Sequence, residues 1–229
     1  MSVFFRRRGY PPAIFDAIFA NNSWEEIIAA CQSGSVPDTW VVGNSKTMTI
    51  NGTSYQIDII GKNHDTYTAG GTAPLTFQLH DCYGTKYRMN SFETNNGGWT
   101  SCDMRSTHLP AILALMPTEV QNGIREVNKL TSAGSQSSTI NTTADKLFLL
   151  SEIEIFGSAE YSMAGEGSQY AYYSAGNSKV KNFSGSANIW WERSPIGSNS
   201  TCFCIVNSNG SAYNAFASNS IGVAFGFCF

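Results

Sequence analysis

From Ser194 to Phe229 the chain carries no charged residue, and it ends on GVAFGFCF. Apolar residues alternate in that ending at the two-residue period of a strand, so the rest of the fold must cover it. Ahead of it, SPIGSNSTCFCIVNSNGSAYNAFASNS interrupts two strand-like runs with Ser and Asn. The pattern predicts an uncharged polar surface followed by a buried closing strand.

The strand texture begins at Trp40. KTMTINGTSYQIDIIG sets two runs around Asn51-Gly52, the strongest short hairpin signal, and LTFQLHDCY continues the style. The stretch NNGGWTSCDMRSTHLPAILALMPTEVQNGIREVNKLT then reads as a loop followed by helix. Thr107 is the expected cap and Pro110 fits the first turn. Ile112, Met116, Val120, Ile124 and Val127 recur on one face, and Pro117 divides the helix into two pieces. TSAGSQSSTINTTA reads as a polar loop, DKLFLLSEIEIFG as an apolar strand or buried turn, and GEGSQYAYYSAGNS as a loop rich in Tyr. Strands resume at NIWWERSP. Strands, helices, then strands again define an α+β class.

Residues 1–40 read as a short helical appendage. Pro11 and Pro12 stiffen a connector, Ser23 caps a helix, and Trp24, Ile27, Ile28 and Cys31 give it one apolar stripe. Gly34 and Pro37 stop it. A helix this short needs a partner surface, on the main domain or on another protein.

Composition removes several function classes. The 229 residues suit one sizeable domain, and only 14% are charged, against the usual quarter. A net charge of -3 gives no electrostatic case for nucleic acid. No apolar run is long enough to span a bilayer. Arg6, Arg7 and Arg8 are followed by Tyr10, Pro11, Pro12 and Asp16, so no signal peptide is expected. Cys31, Cys82, Cys102, Cys202, Cys204 and Cys228 are scattered, which predicts six free buried thiols, no disulfide, no zinc and no cofactor. G-x-S-x-G, Walker and H-E-x-x-H patterns are missing. His64, His80 and His108 read as loop or hydrogen-bonding residues. Glu152 and Glu154 read as the solvent face of a strand rather than a glycosidase pair with Glu166, and Asp103 with Arg105 as a buried ion pair at a helix start.

Five blocks in succession point to a family: W-T-x-C-D-M-R from Trp99, DKLFLLSEIEIFG from Asp145, GEGSQYAYY from Gly165, WWERSP from Trp190, and the terminal GVAFGFCF. Over residues 41–229 the series resembles a C-type-lectin-like domain of unknown function found in Firmicutes and prophage proteins. It is similar to variable proteins of diversity-generating retroelements and distantly to formylglycine-generating sulfatase modifiers. The resemblance implies a C-type-lectin-like fold and a variable region near the C-terminus, residues 194–222, rewritten at adenines. Asn codons altered at adenines reach Ser, Tyr, Thr, Ile, Ala, Phe and Cys among others. On that basis the expected ligand-binding face is Ile196, Ser198, Asn199, Thr201, Cys202, Asn207, Asn209, Ser211, Tyr213, Asn214, Ala215, Phe216, Asn219 and Ile221. Ser194, Pro195, Phe203, Cys204, Val206, Gly210, Gly222, Val223, Phe225 and Phe227 are the expected framework.

Three functions compete at this stage. The first is a non-enzymatic receptor-binding or adhesin component of a phage or prophage tail, located in the virion. It would bind a bacterial cell-surface protein or glycan, dock to other tail proteins through residues 1–40, and form a homo-oligomer, with a trimer favoured. Its face would use Tyr for rigid contact area and Ser and Asn for hydrogen bonds. Tyr213 and Phe216 are the expected anchors, on one exposed patch. The second is an oxidase of the formylglycine-generating type using Cys202, Cys204 or Cys228. The third is a structural tail domain without a specific ligand. In every case Trp99, Trp190 and Trp191 are expected in or beside the core, with one of the adjacent pair buried and the other lining a pocket or interface.

Overall fold

The computed structural model describes residues 15–229, so the Arg triplet and the Pro11-Pro12 connector lie outside the described residues. The first helix, α1 (Trp24–Ser33), starts at a full capping box. Ser23 accepts from the Glu26 N–H, Glu26 accepts from the Ser23 N–H, and Gly34 closes the helix in the left-handed region. Its apolar stripe packs onto the main core. Trp24 meets Phe77 and Phe229 edge-on, each at 6.0 Å, and its indole N–H donates to the Thr47 carbonyl. The partner surface that so short a helix needs is thus the main domain.

The Asn51-Gly52 signal is realised. Strands β1 (Ser45–Ile50) and β2 (Thr53–Lys62) pair antiparallel, and both turn residues have positive φ, 48° and 79°, the geometry that Asn and Gly tolerate. β3 (Leu75–Leu79) joins β2. Next come a short α2 (Gly98–Ser101), a π-helical turn (Met104–His108) and α3 (Leu109–Leu113), then α4 (Thr118–Gly123). Pro117 separates the two helical pieces as expected, but Thr107 lies inside the π turn rather than capping it. The helical reading of Val127 fails too, because Val127 opens a strand.

That strand, β4 (Val127–Ser132), pairs with β5 (Ile140–Asp145), and the turn between them is shorter than the expected polar loop. α5 (Glu152–Phe156) replaces the expected strand in SEIEIF, started by a second capping box between Ser151 and Glu154. α6 (Ala171–Ser174) interrupts the Tyr-rich loop. A small hairpin of β6 (Lys181–Phe183) and β7 (Ser186–Asn188) precedes β8 (Trp190–Pro195), β9 (Cys202–Val206), β10 (Ala212–Phe216) and β11 (Gly226–Cys228).

The architecture is therefore mixed helix and sheet, built from several small antiparallel sheets. One sheet has the order β1-β2-β3-β11, so the chain's last strand closes the sheet that its first strands opened. A second has the order β10-β9-β8. The terminal run Ile221–Phe229 is wholly buried, as its sequence required. Where α1 meets α4, a Cβ on Gly123 would lie 2.6 Å from Ile28 Cδ1, so a larger residue there would force the Ile28 side chain to move.

Trp99, Trp190 and Trp191 are all fully buried. The expected split between the adjacent pair does not occur, because both faces of β8 are covered. Each indole N–H finds a carbonyl: Trp190 donates to Lys179 and Trp191 to Tyr87.

Candidate functional site

The three-stranded sheet carries the residues singled out for binding. β9 is buried throughout and β8 is buried throughout, while β10, at the edge, is open. Every framework residue in the predicted set is buried except Gly210, which is half-buried with φ 85° in the turn before β10. Of the proposed face, Ser198, Asn209, Ser211, Tyr213, Phe216 and Asn219 are exposed, and Asn199, Thr201, Asn207, Asn214 and Ala215 are half-buried.

Three assignments need correction. Ile196 and Cys202 pack with Cys204 in a small apolar cluster beneath Tyr161, and Ile221 joins the main core where its backbone bridges Tyr87. All three are at most 5% exposed, so none belongs to a surface that tolerates substitution. Asn199 has a local task as well: its side-chain oxygen accepts from the Thr201 and Cys202 N–H groups. The single patch expected for the two anchors is also revised. Tyr213 stands opposite Ile205 and Phe216 opposite Cys202, so alternation sends them to opposite faces of β10. The Tyr213 ring meets Tyr161 edge-on at 6.1 Å. The exposed set therefore wraps a sheet edge.

Behind this surface the interior is charged. Between Trp191 and Pro195 the β8–β9 register slips, so that Glu192, Arg193 and Ser194 together face Cys204. Freed from the ladder, the Arg193 guanidinium reaches Glu154 through Nη1 at 2.5 Å and Nη2 at 2.8 Å, and also bonds the Thr131 hydroxyl and the carbonyls of Leu130 and Leu149. Glu154 pairs in turn with Lys129 at 2.7 Å, and Lys129 with Asp65 at 2.8 Å. Tyr170 accepts from Lys129 and bonds Asp65, which also takes the Thr76 hydroxyl at 2.6 Å.

Burial pushes the carboxyls of Asp65 and Glu154 up. The cations outweigh it: Lys129, with Thr76, holds Asp65 at about 2, and Arg193 with Lys129 lowers Glu154. A cleft of about 380 Å³ reaches this network beside His64, whose ring lies tilted against Tyr170 with centroids 4.0 Å apart and whose pKa burial lowers. All three Lys129 protons and all the oxygens of Asp65 and Glu154 already have partners, so the network clamps elements together and has no free valence for a ligand.

Glu152 and Glu154, expected at the surface, are thus interior residues. Glu152 accepts from the Tyr161 and Ser162 N–H groups, and Glu166 from the Ser132 N–H and the Ser194 hydroxyl. Neither oxygen of the buried Glu192 has a hydrogen-bond partner. Burial first, then Glu152 and Glu166, push its carboxyl well above the ordinary range. The expected Asp103–Arg105 pair is not formed: Arg105 binds Asp145 at 2.6 Å, and Asp103 accepts from Ser91. A stretch of strand with charge in its buried phase, as in Val127-x-Lys129-x-Thr131, was the sequence signal of this interior.

All six cysteines are free and buried. Burial and the carboxylates of Glu192, Glu152 and Glu166 push the Cys204 thiol well up, and burial with Asp65 does the same to Cys228. Those surroundings oppose a thiolate. His80 is half-exposed, with Nδ1 2.6 Å from Asp58. No described helix is long and apolar enough to cross a membrane.

Residues 75–228 match the family described as a domain of unknown function, DUF6273. No curated protein and no solved structure matches the chain. The matched span is about two-thirds of the sequence and takes in everything from β3 to β11. The chain belongs to the DUF6273 family.

Proposed function

We propose that this chain is a ligand-binding module: a C-type-lectin-like scaffold that presents the β10 edge and its flanking loops to a bacterial cell-surface protein or glycan, as the receptor-binding component of a phage or prophage tail. The observation that carries the reading is the exposure of Tyr213 and Phe216, at 53% and 47%, on a surface with no charged residue from Ser194 onward. Rigid aromatics supply contact area at low entropic cost, and the Ser and Asn around them supply adaptable hydrogen bonds. Ser198, Asn199, Thr201, Asn207, Asn209, Ser211, Asn214, Ala215 and Asn219 complete the surface, and in this reading they are the diversified positions.

Adsorption of the full chain to bacterial cells tests this directly. Binding should be saturable and lost in the Tyr213→Ala, Phe216→Ala double variant while its melting temperature stays within a few degrees of wild type. Prior protease or periodate treatment of the cells separates a protein from a glycan receptor. Unchanged adsorption by the double variant would remove this surface from the function.

A further inference from the structure

The loop 196–201 joins β8 to β9 and carries Ser198, Asn199 and Thr201, three positions of the proposed surface. Surface loops commonly leave their carbonyls to water. Here four successive carbonyls are taken up inside the protein. Those of Asn199 and Cys202 accept the two protons of Asn95 Nδ2, at 3.1 and 2.8 Å. The Ser200 carbonyl accepts from the Asn95 N–H at 2.7 Å, and the Thr201 carbonyl from the Ala217 N–H.

Asn95 lies far from this loop in sequence, in the segment leading to α2, and it is fully buried. Its remaining groups are used as well. Oδ1 accepts from the Ser135 N–H at 2.8 Å, in the turn between β4 and β5, and the carbonyl accepts from the Gly98 N–H. Gly134, with φ 74°, lets that turn approach: a Cβ there would lie 1.8 Å from the Asn95 carbonyl oxygen. A carboxamide offers two donors and an acceptor on one short side chain, which a carboxylate of the same shape does not. One residue thus ties three loops together.

The atoms it holds bear on function. Each bond from Asn95 to the loop ends on a main-chain carbonyl, a group that every residue type carries. The side chains of Ser198 and Ser200 are exposed. Changing them leaves the clasp intact, whereas losing the Asn95 amide opens it whatever the loop's side chains are. We infer that Asn95 is the positioning residue of the ligand-binding surface: it holds the loop 196–201 in shape from outside, through the main chain, while the exposed side chains of the loop are free to change. The inference rests on the ligand-binding reading, and half of its test needs no ligand.

That half is amide hydrogen exchange of the full chain. In wild type the N–H groups of Gly197, Thr201 and Cys202, bonded to the Tyr161 carbonyl and the Asn199 side chain, should be protected at least about a hundredfold. Asn95→Asp keeps the acceptor for Ser135 but turns oxygen toward the Asn199 and Cys202 carbonyls. It should speed exchange at the three loop amides at least about tenfold and leave Ser135 protected, a split that a general loss of stability would not give. Ser198→Ala with Ser200→Ala should leave all four amides unchanged. Adsorption of Asn95→Asp to bacterial cells should weaken at least about tenfold. Should that variant lose its native circular dichroism, Asn95→Ser, which lacks both donors and buries no charge, carries the loop-exchange and adsorption measurements. Unprotected loop amides in wild type, or unchanged loop exchange in a folded Asn95 variant, would overturn the inference. So would adsorption kept by a folded Asn95 variant but lost in the Tyr213→Ala, Phe216→Ala variant, which leaves the ligand-binding reading standing. Adsorption kept by both ends that reading and this inference together.

Discussion

The interior around Arg193 and the edge around Tyr213 belong to the same three-stranded sheet, with β9 between them, and have opposite compositions. The interior holds Asp65, Lys129, Glu154, Glu166, Glu192 and Arg193, all buried, while the edge and its loops hold no charge at all. In most soluble domains the distribution is reversed. The interior charges draw β4, α5, β8 and the segments around Asp65 and Tyr170 into one network, so displacing one disturbs partners on several others. The edge side chains mostly have no such partners. The protein thus separates the residues that fix its shape from those free to change.

Removing one member of the interior network should produce the largest effect. Glu154→Ala leaves Arg193 and Lys129 buried without their shared carboxylate, and should cost about 3–5 kcal/mol in urea denaturation. A loss below about 1 kcal/mol would show that the interior is not the clamp.

Acid offers a second test. The carboxyls of Asp65 and Glu154 lie below their unfolded values, so their contribution is present above pH ~4 and disappears as pH falls through the folded values, near 2 for Asp65. Native circular dichroism should therefore survive moderate acid and fail steeply toward pH ~2. Failure already near pH ~5 would assign the acid limit to other groups.

Glu192 has the opposite sign. Its carboxyl is raised, so the stability it supports is complete below the unfolded value of ~4.3 and is lost as pH rises through the folded value. Glu192→Gln keeps the shape and removes the ionisation. Its melting temperature should exceed wild type by a margin that grows as pH rises above the unfolded value of ~4.3. A constant or reversed margin would mean that Glu192 is paired in solution.

The smallest stability change belongs to the edge. Tyr213→Ala with Phe216→Ala should shift unfolding by no more than about 0.5 kcal/mol per site, the usual range for surface positions. A loss of several kcal/mol would make these rings part of the core and end the contrast.

The legible features share a local origin. The Asn51-Gly52 turn, the Ser23–Glu26 cap, the break at Pro117 and the terminal closing strand each depend on residues within a few positions of one another. The misread features depend on distant partners. SEIEIF alternates like a strand, yet the Ser151 capping box and the reach of Glu154 to Arg193 and Lys129 make it a buried helix. Ile196, Cys202 and Ile221 fit a tolerant surface by residue type, but the register of β8, β9 and the Tyr87 bridge turns them inward.

By itself, then, the sequence determined the α+β class, the hairpins around its strongest turns and the burial of its last strand, because period and turn chemistry act over short range. Tertiary structure alone decided which charges are interior. A buried charge is stable only where cations, carboxylates and carbonyls from several distant segments converge on it, and no local pattern encodes that meeting.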